Sequence, residues 1–135
     1  SNESRAELIK DVEPDMVIDL HVNADAANER TQGTSVVYNE YFYRPGVTNV
    51  QVADIMERSL VTEIQGKALG IFGDRQNKYP LLGMIQVPAI SIEMGYLTNK
   101  QEAELLRKNN YQEKIALGIF KGIEEIREEM KNYEQ

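Results

Sequence analysis

The chain has 135 residues, of which 41% are hydrophobic and 27% are charged, and it contains no cysteine. This size and composition suit one domain with a buried core, and the lack of cysteine excludes thiolate metal sites, disulfides and cysteine nucleophiles. The formal net charge of -7 at pH 7 argues against nucleic acid as a partner, and no apolar run is long enough to predict a membrane span.

The chain begins with a predicted helix followed by a predicted strand. The helix covers residues 5–12, and Pro14 ends it because proline disfavours helical geometry in the residue before it. Residues 16–21 are β-branched and apolar enough to form a buried strand, with His21 at its carboxyl end. Since side chains alternate along a strand, one face of it should carry Val17, Asp19 and His21.

The middle of the chain predicts a second strand and an amphipathic helix. Residues 23–33 are polar and glycine-bearing and read as a loop, which leads into a strand over residues 34–38. Apolar side chains recur at helical spacing over residues 50–65, and Gly66 lies where a helix terminator is expected. Residues 67–80, including the glycines of residues 70–75, are predicted to be irregular.

The remaining elements complete an alternating pattern. Residues 81–86 and 89–93 predict two short strands, the second of which ends at Glu93. Thr98 or Asn99 can cap a helix over residues 101–107, and a longer amphipathic helix over residues 111–130 follows. Strands that alternate with helices indicate an α/β fold, a mostly parallel sheet with helices on both faces.

Two side chains are predicted to share one crevice. Functional groups of open α/β sheets collect outside the carboxyl ends of the strands, where both His21 and Glu93 are expected. Zinc takes imidazole as a ligand, and a nearby carboxylate can deprotonate water beside it. Position alone leaves plain structural roles open, because a single histidine after a strand is more often hydrogen-bonded for structure and Glu93 can pair with a lysine.

Two segments carry a resemblance to a known family. Residues 15–24, DMVIDLHVNA, resemble the strand and His-x-Asn-Ala segment of the zinc-dependent N-acetylmuramoyl-L-alanine amidases. Residues 87–99, VPAISIEMGYLTN, resemble their Pro-Ala-x-x-x-Glu-x-Gly-Phe-Leu-Ser-Asn segment. The segments follow the family order at about the family spacing. The resemblance, which covers nearly the whole chain, implies an amidase-like three-layer sandwich and cleavage of the amide between N-acetylmuramic acid and L-alanine.

The resemblance also implies roles for individual residues. His21 corresponds to a zinc ligand and Glu93 to the catalytic carboxylate, while Asn23, Arg75 and Asn77 are candidates for substrate contact. The implied cofactor is Zn2+, and the implied substrate is peptidoglycan or a muropeptide. A protein with this substrate is expected to be secreted or associated with the bacterial cell wall, as autolysins are. Neither nucleic acid nor a membrane span is expected, and the oligomeric state is not predicted.

The chain departs from the family at the metal site. The family adds a histidine and a glutamate that lie upstream of the matched segments, whereas this chain has one histidine, and its early glutamates Glu3 and Glu7 are expected to face solvent. Residues 1–135 are therefore expected to form the carboxyl-terminal portion of the catalytic domain. Asp19 stands where the family often has a small residue, and it can orient His21, contribute a ligand or be a plain buried polar residue.

Two other functions remain open at this point. One is a noncatalytic muropeptide-binding or regulatory module that keeps the fold. The other is a metallo-carboxypeptidase acting on peptide stems, which needs a basic residue for the terminal carboxylate of its substrate. Aromatic side chains follow the second strand and suit either a glycan groove or packing against a loop: Tyr38, Tyr41, Phe42 and Tyr43.

Overall fold

The structure, a computed structural model, describes residues 1–40 and 46–134, so that Tyr41, Phe42 and Tyr43 lie outside the described residues. The elements of the described part follow in chain order: α1 Asn2–Val12, β1 Val17–Asn23, β2 Thr34–Tyr38, α2 Asn49–Ile64, β3 Ala68–Gly73, α3 Pro80–Met84, β4 Ala89–Tyr96, α4 Lys100–Leu106 and α5 Asn109–Glu134. None of the helices in this part is both long and apolar enough to cross a membrane.

The four strands form one mixed sheet in the order β1-β4-β2-β3. The pairs β1–β4 and β2–β3 are parallel, and β2–β4 is antiparallel. A large core cluster joins one face of the sheet to α2 and α5, and a smaller cluster joins the other face to α1 and α3. The predicted α/β fold, a mostly parallel sheet with helices on both faces, is confirmed.

Because side chains alternate along each strand, the two faces of the sheet differ in polarity. Ile90 and Ile92 of β4 are fully buried in the larger cluster, on the α2 and α5 side. The alternate position Ser91 is equally buried, and it lies opposite Asp19 of β1. The face that carries Asp19 lies towards α1, because Arg5 of that helix bonds the Asp19 carboxylate. The polar positions of two strands therefore gather on the α1 and α3 face.

Helix α2 begins with a capping box. The Thr48 hydroxyl accepts a hydrogen bond from the Gln51 backbone at 3.2 Å, and the Gln51 side chain accepts one from the Thr48 backbone at 2.8 Å. We expect Thr48→Ala to lower the free energy of unfolding by about 1 kcal/mol, since a backbone donor loses its partner. Urea denaturation measures this, with Thr62→Ala, at an exposed position of the same helix, as a control that should not destabilise. Equal effects of the two substitutions would contradict it.

The region between α2 and β4 differs from the sequence prediction. The predicted strand over residues 81–86 is wrong, because residues 80–84 form helix α3, with Pro80 in the first turn. Proline suits that position because its fixed φ is helical and its missing N–H would have no partner there. The predicted loop at residues 70–75 is also mostly wrong, since β3 pairs with β2 along this stretch. Gly70 has a φ of 118° and its N–H bonds the Glu57 side chain, which explains a glycine inside a strand.

Other element boundaries differ from the predicted ones by a few residues. Helix α1 begins at Asn2, three residues before the predicted start, with Ser1 as its cap. Asn99, one of the two predicted candidates, caps α4. Strand β4 continues past Glu93 to Tyr96, because its pairing with β1 extends that far. Glu93 therefore lies within the strand and is held by neighbours on both sides, His21 of β1 and Ser35 of β2.

Candidate active site

The structure brings His21 and Glu93 together. They are paired positions of the parallel strands β1 and β4, and their side chains therefore project from the same face of the sheet. The pairing register shifts between His21 and Asn23, so β1 is irregular directly after the histidine. The two side chains therefore lie close together, as expected, but within their strands rather than beyond the carboxyl ends.

Glu93 is a buried carboxylate with one uncommitted oxygen. The residue is 5% exposed, and its Oε1 accepts a hydrogen bond from the Tyr79 hydroxyl. Its Oε2 is buried and has no hydrogen-bond partner among the described residues. Leaving a buried carboxylate oxygen unpaired costs free energy, which makes this atom a candidate for ligand binding or proton transfer.

Tyr79 connects Glu93 to His21. Besides its bond to Glu93, its ring packs edge-on against the imidazole with 5.1 Å between centroids. Burial, followed by the hydrogen bond to Glu93, raises the pKa of Tyr79 well above its usual value. The phenol therefore stays protonated at neutral pH and remains a hydrogen-bond donor to the carboxylate.

Asp19 contacts His21 directly. Its Oδ2 lies 2.7 Å from His21 Nε2, and its Oδ1 accepts a hydrogen bond of 2.7 Å from Arg5 of α1. Burial alone would raise the pKa of Asp19, but the bonds to His21 and Arg5 outweigh it and the net shift is downward. Asp19 is 7% exposed and is thus an ionised, buried partner of the imidazole.

A cavity of about 420 Å³ opens beside this cluster. Of the residues predicted to contact substrate, Asn23 and Arg75 line it, together with Tyr79 and the half-exposed Phe72. Asn77 is exposed and lies outside the lining. The Arg75 side chain is 80% exposed and bonds Glu40 at 2.9 Å. A larger cavity of about 700 Å³, between α1 and the end of α3, includes none of the residues of the His21 and Glu93 cluster.

The family profile described as N-acetylmuramoyl-L-alanine amidase matches residues 1–125. This chain belongs to that family. The germination-specific N-acetylmuramoyl-L-alanine amidase of Bacillus subtilis is 33% identical over 119 residues, which is 88% of this chain and 47% of that protein. The chain thus spans about half the length of this relative. A putative N-acetylmuramoyl-L-alanine amidase of Buchnera aphidicola is 33% identical over 93 residues.

Solved amidase structures share the fold. The N-acetylmuramoyl-L-alanine amidase of Clostridium difficile superposes with a TM-score of 0.85 at 24% identity, covering 95% of this chain and 66% of that one. The CwlD amidase of Clostridioides difficile, solved in complex with the GerS lipoprotein, has a TM-score of 0.82 at 24% identity and covers 93% and 61% of the two chains. The predicted resemblance to the amidase family is confirmed.

The described residues of this amidase-family chain do not by themselves form a zinc site. His21 is the one imidazole, and no group of three or more His, Asp or Glu side chains in the described ranges lies in position to hold a metal. Catalytic zinc normally has three protein ligands. Glu3 and Glu7 are exposed, as expected, and do not join the cluster. His21 can contribute one ligand, but the described residues alone do not complete the site.

Two contributors to the site were not singled out from the sequence. Tyr79 precedes Glu93 by fourteen residues and Arg5 precedes Asp19 by the same interval, with no motif linking either pair. The spacing of residues on different elements carries no information about their contact until the elements pack. The polar Asp19 within an apolar strand was the one available signal, because a buried carboxylate needs a partner.

Proposed function

We propose that this chain is part of the catalytic domain of a peptidoglycan hydrolase that cleaves the amide between N-acetylmuramic acid and L-alanine. The observation that supports it best is Glu93, a buried carboxylate with one uncommitted oxygen, paired across two strands with the only histidine. A carboxylate kept from solvent beside an open cavity is a suitable general base. Family membership supplies the reaction to which this base would contribute.

Glu93 is the catalytic residue of the proposal. Its free Oε2 takes the proton from the water that attacks the lactyl amide carbonyl, and Glu93 then returns the proton to the departing L-alanine nitrogen. Tyr79 holds the other oxygen of Glu93, which limits rotation of the carboxylate. Asn23 and Arg75, which line the adjoining cavity, are the proposed substrate contacts, and the exposed Asn77 is a further candidate outside the lining.

Zinc is the proposed cofactor, with His21 as one ligand and the remaining ligands outside the described residues. When bound, zinc polarises a carbonyl oxygen and lowers the pKa of water. His21 suits the role because its side chain is 37% exposed while its Nε2 is bonded to a carboxylate, a pairing common among metal-binding histidines.

Zinc affinity tests the role of His21. In the full-length protein, His21→Ala is expected to weaken zinc binding by more than the ~10–100-fold typical of removing a ligand's supporting partner, because a ligand itself is lost. Calorimetric titration measures it, and Gln76→Ala, an exposed residue of the cavity wall, is the control. Unchanged affinity would remove His21 from the metal site. The same titration on this chain alone tests the proposal that residues 1–135 are the carboxyl-terminal portion of the domain, for which weaker binding is expected.

Product analysis tests the reaction itself. Full-length protein incubated with purified peptidoglycan should release stems with a new L-alanine amino terminus and leave the glycan strands uncut. Release of single amino acids from the stem would identify a carboxypeptidase, and binding without products would identify a noncatalytic muropeptide module. A peptidoglycan substrate implies action outside the cytoplasm, at the bacterial cell wall, which fractionation of the producing cells would test.

A further inference from the structure

The two ring nitrogens of His21 have different surroundings. Nε2 lies 2.7 Å from Asp19 Oδ2. Within the part of the chain that the structure describes, no hydrogen bond involves Nδ1. The side chain is 37% exposed, so a ligand can reach the ring from solvent.

Asp19 is itself held from two sides. Arg5 donates to its Oδ1 at 2.7 Å, and the Ser91 hydroxyl lies 3.3 Å from its Oδ2. A carboxylate paired with a guanidinium is an acceptor only, so the hydrogen between Asp19 and His21 belongs to Nε2. A neutral imidazole with its hydrogen on Nε2 carries its lone pair on Nδ1.

We propose that Asp19, held by Arg5, is a positioning residue that keeps His21 in the Nε2–H tautomer and leaves Nδ1 as the nitrogen offered to a ligand. The identity of that ligand as zinc rests on the proposed function, but the choice of nitrogen does not. A carboxylate on one ring nitrogen fixes the ring orientation and raises the basicity of the other.

The Glu93 carboxylate on the neighbouring strand indicates which class of ligand the site can bind. Glu93 pairs with His21 across β1 and β4, and its Oε2 is likewise without a partner among the described residues. The site therefore offers two hydrogen-bond acceptors, one imidazole nitrogen and one carboxylate oxygen. A metal cation or a proton-donating group satisfies both, whereas an anion satisfies neither.

Nuclear magnetic resonance can read the tautomer directly, because His21 is the only histidine and its ring gives a single pair of nitrogen signals. With isotope-labelled chain, the neutral form of wild-type His21 should show one tautomer with a slowly exchanging Nε2–H proton. Asp19→Asn should lose the slow exchange and give mixed tautomers, because an amide can either accept from Nε2–H or donate to a bare Nε2. Asp54→Asn, the same change of charge at an exposed α2 position, should match the wild type.

Arg5→Gln provides a second variant that leaves the buried carboxylate in place. Arg5 is half exposed, so its replacement should preserve the fold and make exchange of the Nε2–H proton faster. The proposal is overturned if the neutral form of wild-type His21 carries its hydrogen on Nδ1. It is also overturned if a folded Asp19→Asn variant keeps the wild-type tautomer and exchange rate.

A third variant separates this inference from the proposed function. Glu93→Gln should leave the His21 tautomer unchanged while it removes amide cleavage by the full-length protein. Retained cleavage would count against the proposed function alone. A wild-type tautomer other than Nε2–H would count against the role of Asp19 alone, whatever the activity.

Discussion

Glu93→Gln in the full-length protein is expected to lower kcat for muropeptide cleavage by about 10²–10⁴-fold, the usual contribution of general acid–base catalysis. Glutamine has nearly the size of glutamate and can still accept the Tyr79 hydrogen bond, but it cannot take a proton from water. Substrate binding does not need that proton, so KM should change little. Release of L-alanine amino termini under saturating muropeptide measures the effect.

The control for this substitution is Glu57→Gln. Glu57 is partly buried and, like Glu93, accepts a hydrogen bond, in this case from the Gly70 backbone, but it lies on α2 away from His21 and Glu93. It should keep wild-type turnover. Circular dichroism and zinc content should be unchanged in both variants. Wild-type turnover by a folded Glu93→Gln variant would remove Glu93 from the mechanism.

Ile92→Ala in this chain is expected to lower the free energy of unfolding by about 2–5 kcal/mol. Ile92 lies next to Glu93 on β4, is fully buried, and packs in the core cluster between the sheet and α2 and α5. Removing three carbon atoms there loses apolar burial and leaves a cavity. Urea denaturation followed by circular dichroism measures the loss.

Leu20→Ala is the matched control for Ile92→Ala. Leu20 is the paired residue on the neighbouring strand β1 and projects from the same face, but it is 53% exposed. Its replacement should cost no more than about 1 kcal/mol, since most of its surface is already in water. Equal costs for the two substitutions would contradict the position of β1 at the edge of the sheet in this chain.

The elements predicted best are those whose local residue pattern favours a single type of secondary structure. Apolar side chains at helical spacing predict α2 and α5, and β-branched runs predict β1, β2 and β4. Helix α3 and strand β3 were not predicted, because their local residue patterns favour a different structure from the one they adopt. The apolar run that begins at Leu81 suits a strand as well as a helix, and Gly70 normally marks a loop.

The sequence by itself determined the family and the α/β class and predicted His21 and Glu93 as site residues, because these depend on residue types in order along the chain. Only the tertiary structure decided that His21 and Glu93 are paired neighbours, since register is a relation between strands. It also decided that Tyr79 bonds Glu93 and that Arg5 holds Asp19. Those contacts join elements that meet only when helices α1 and α3 pack on the sheet, so no local pattern records them.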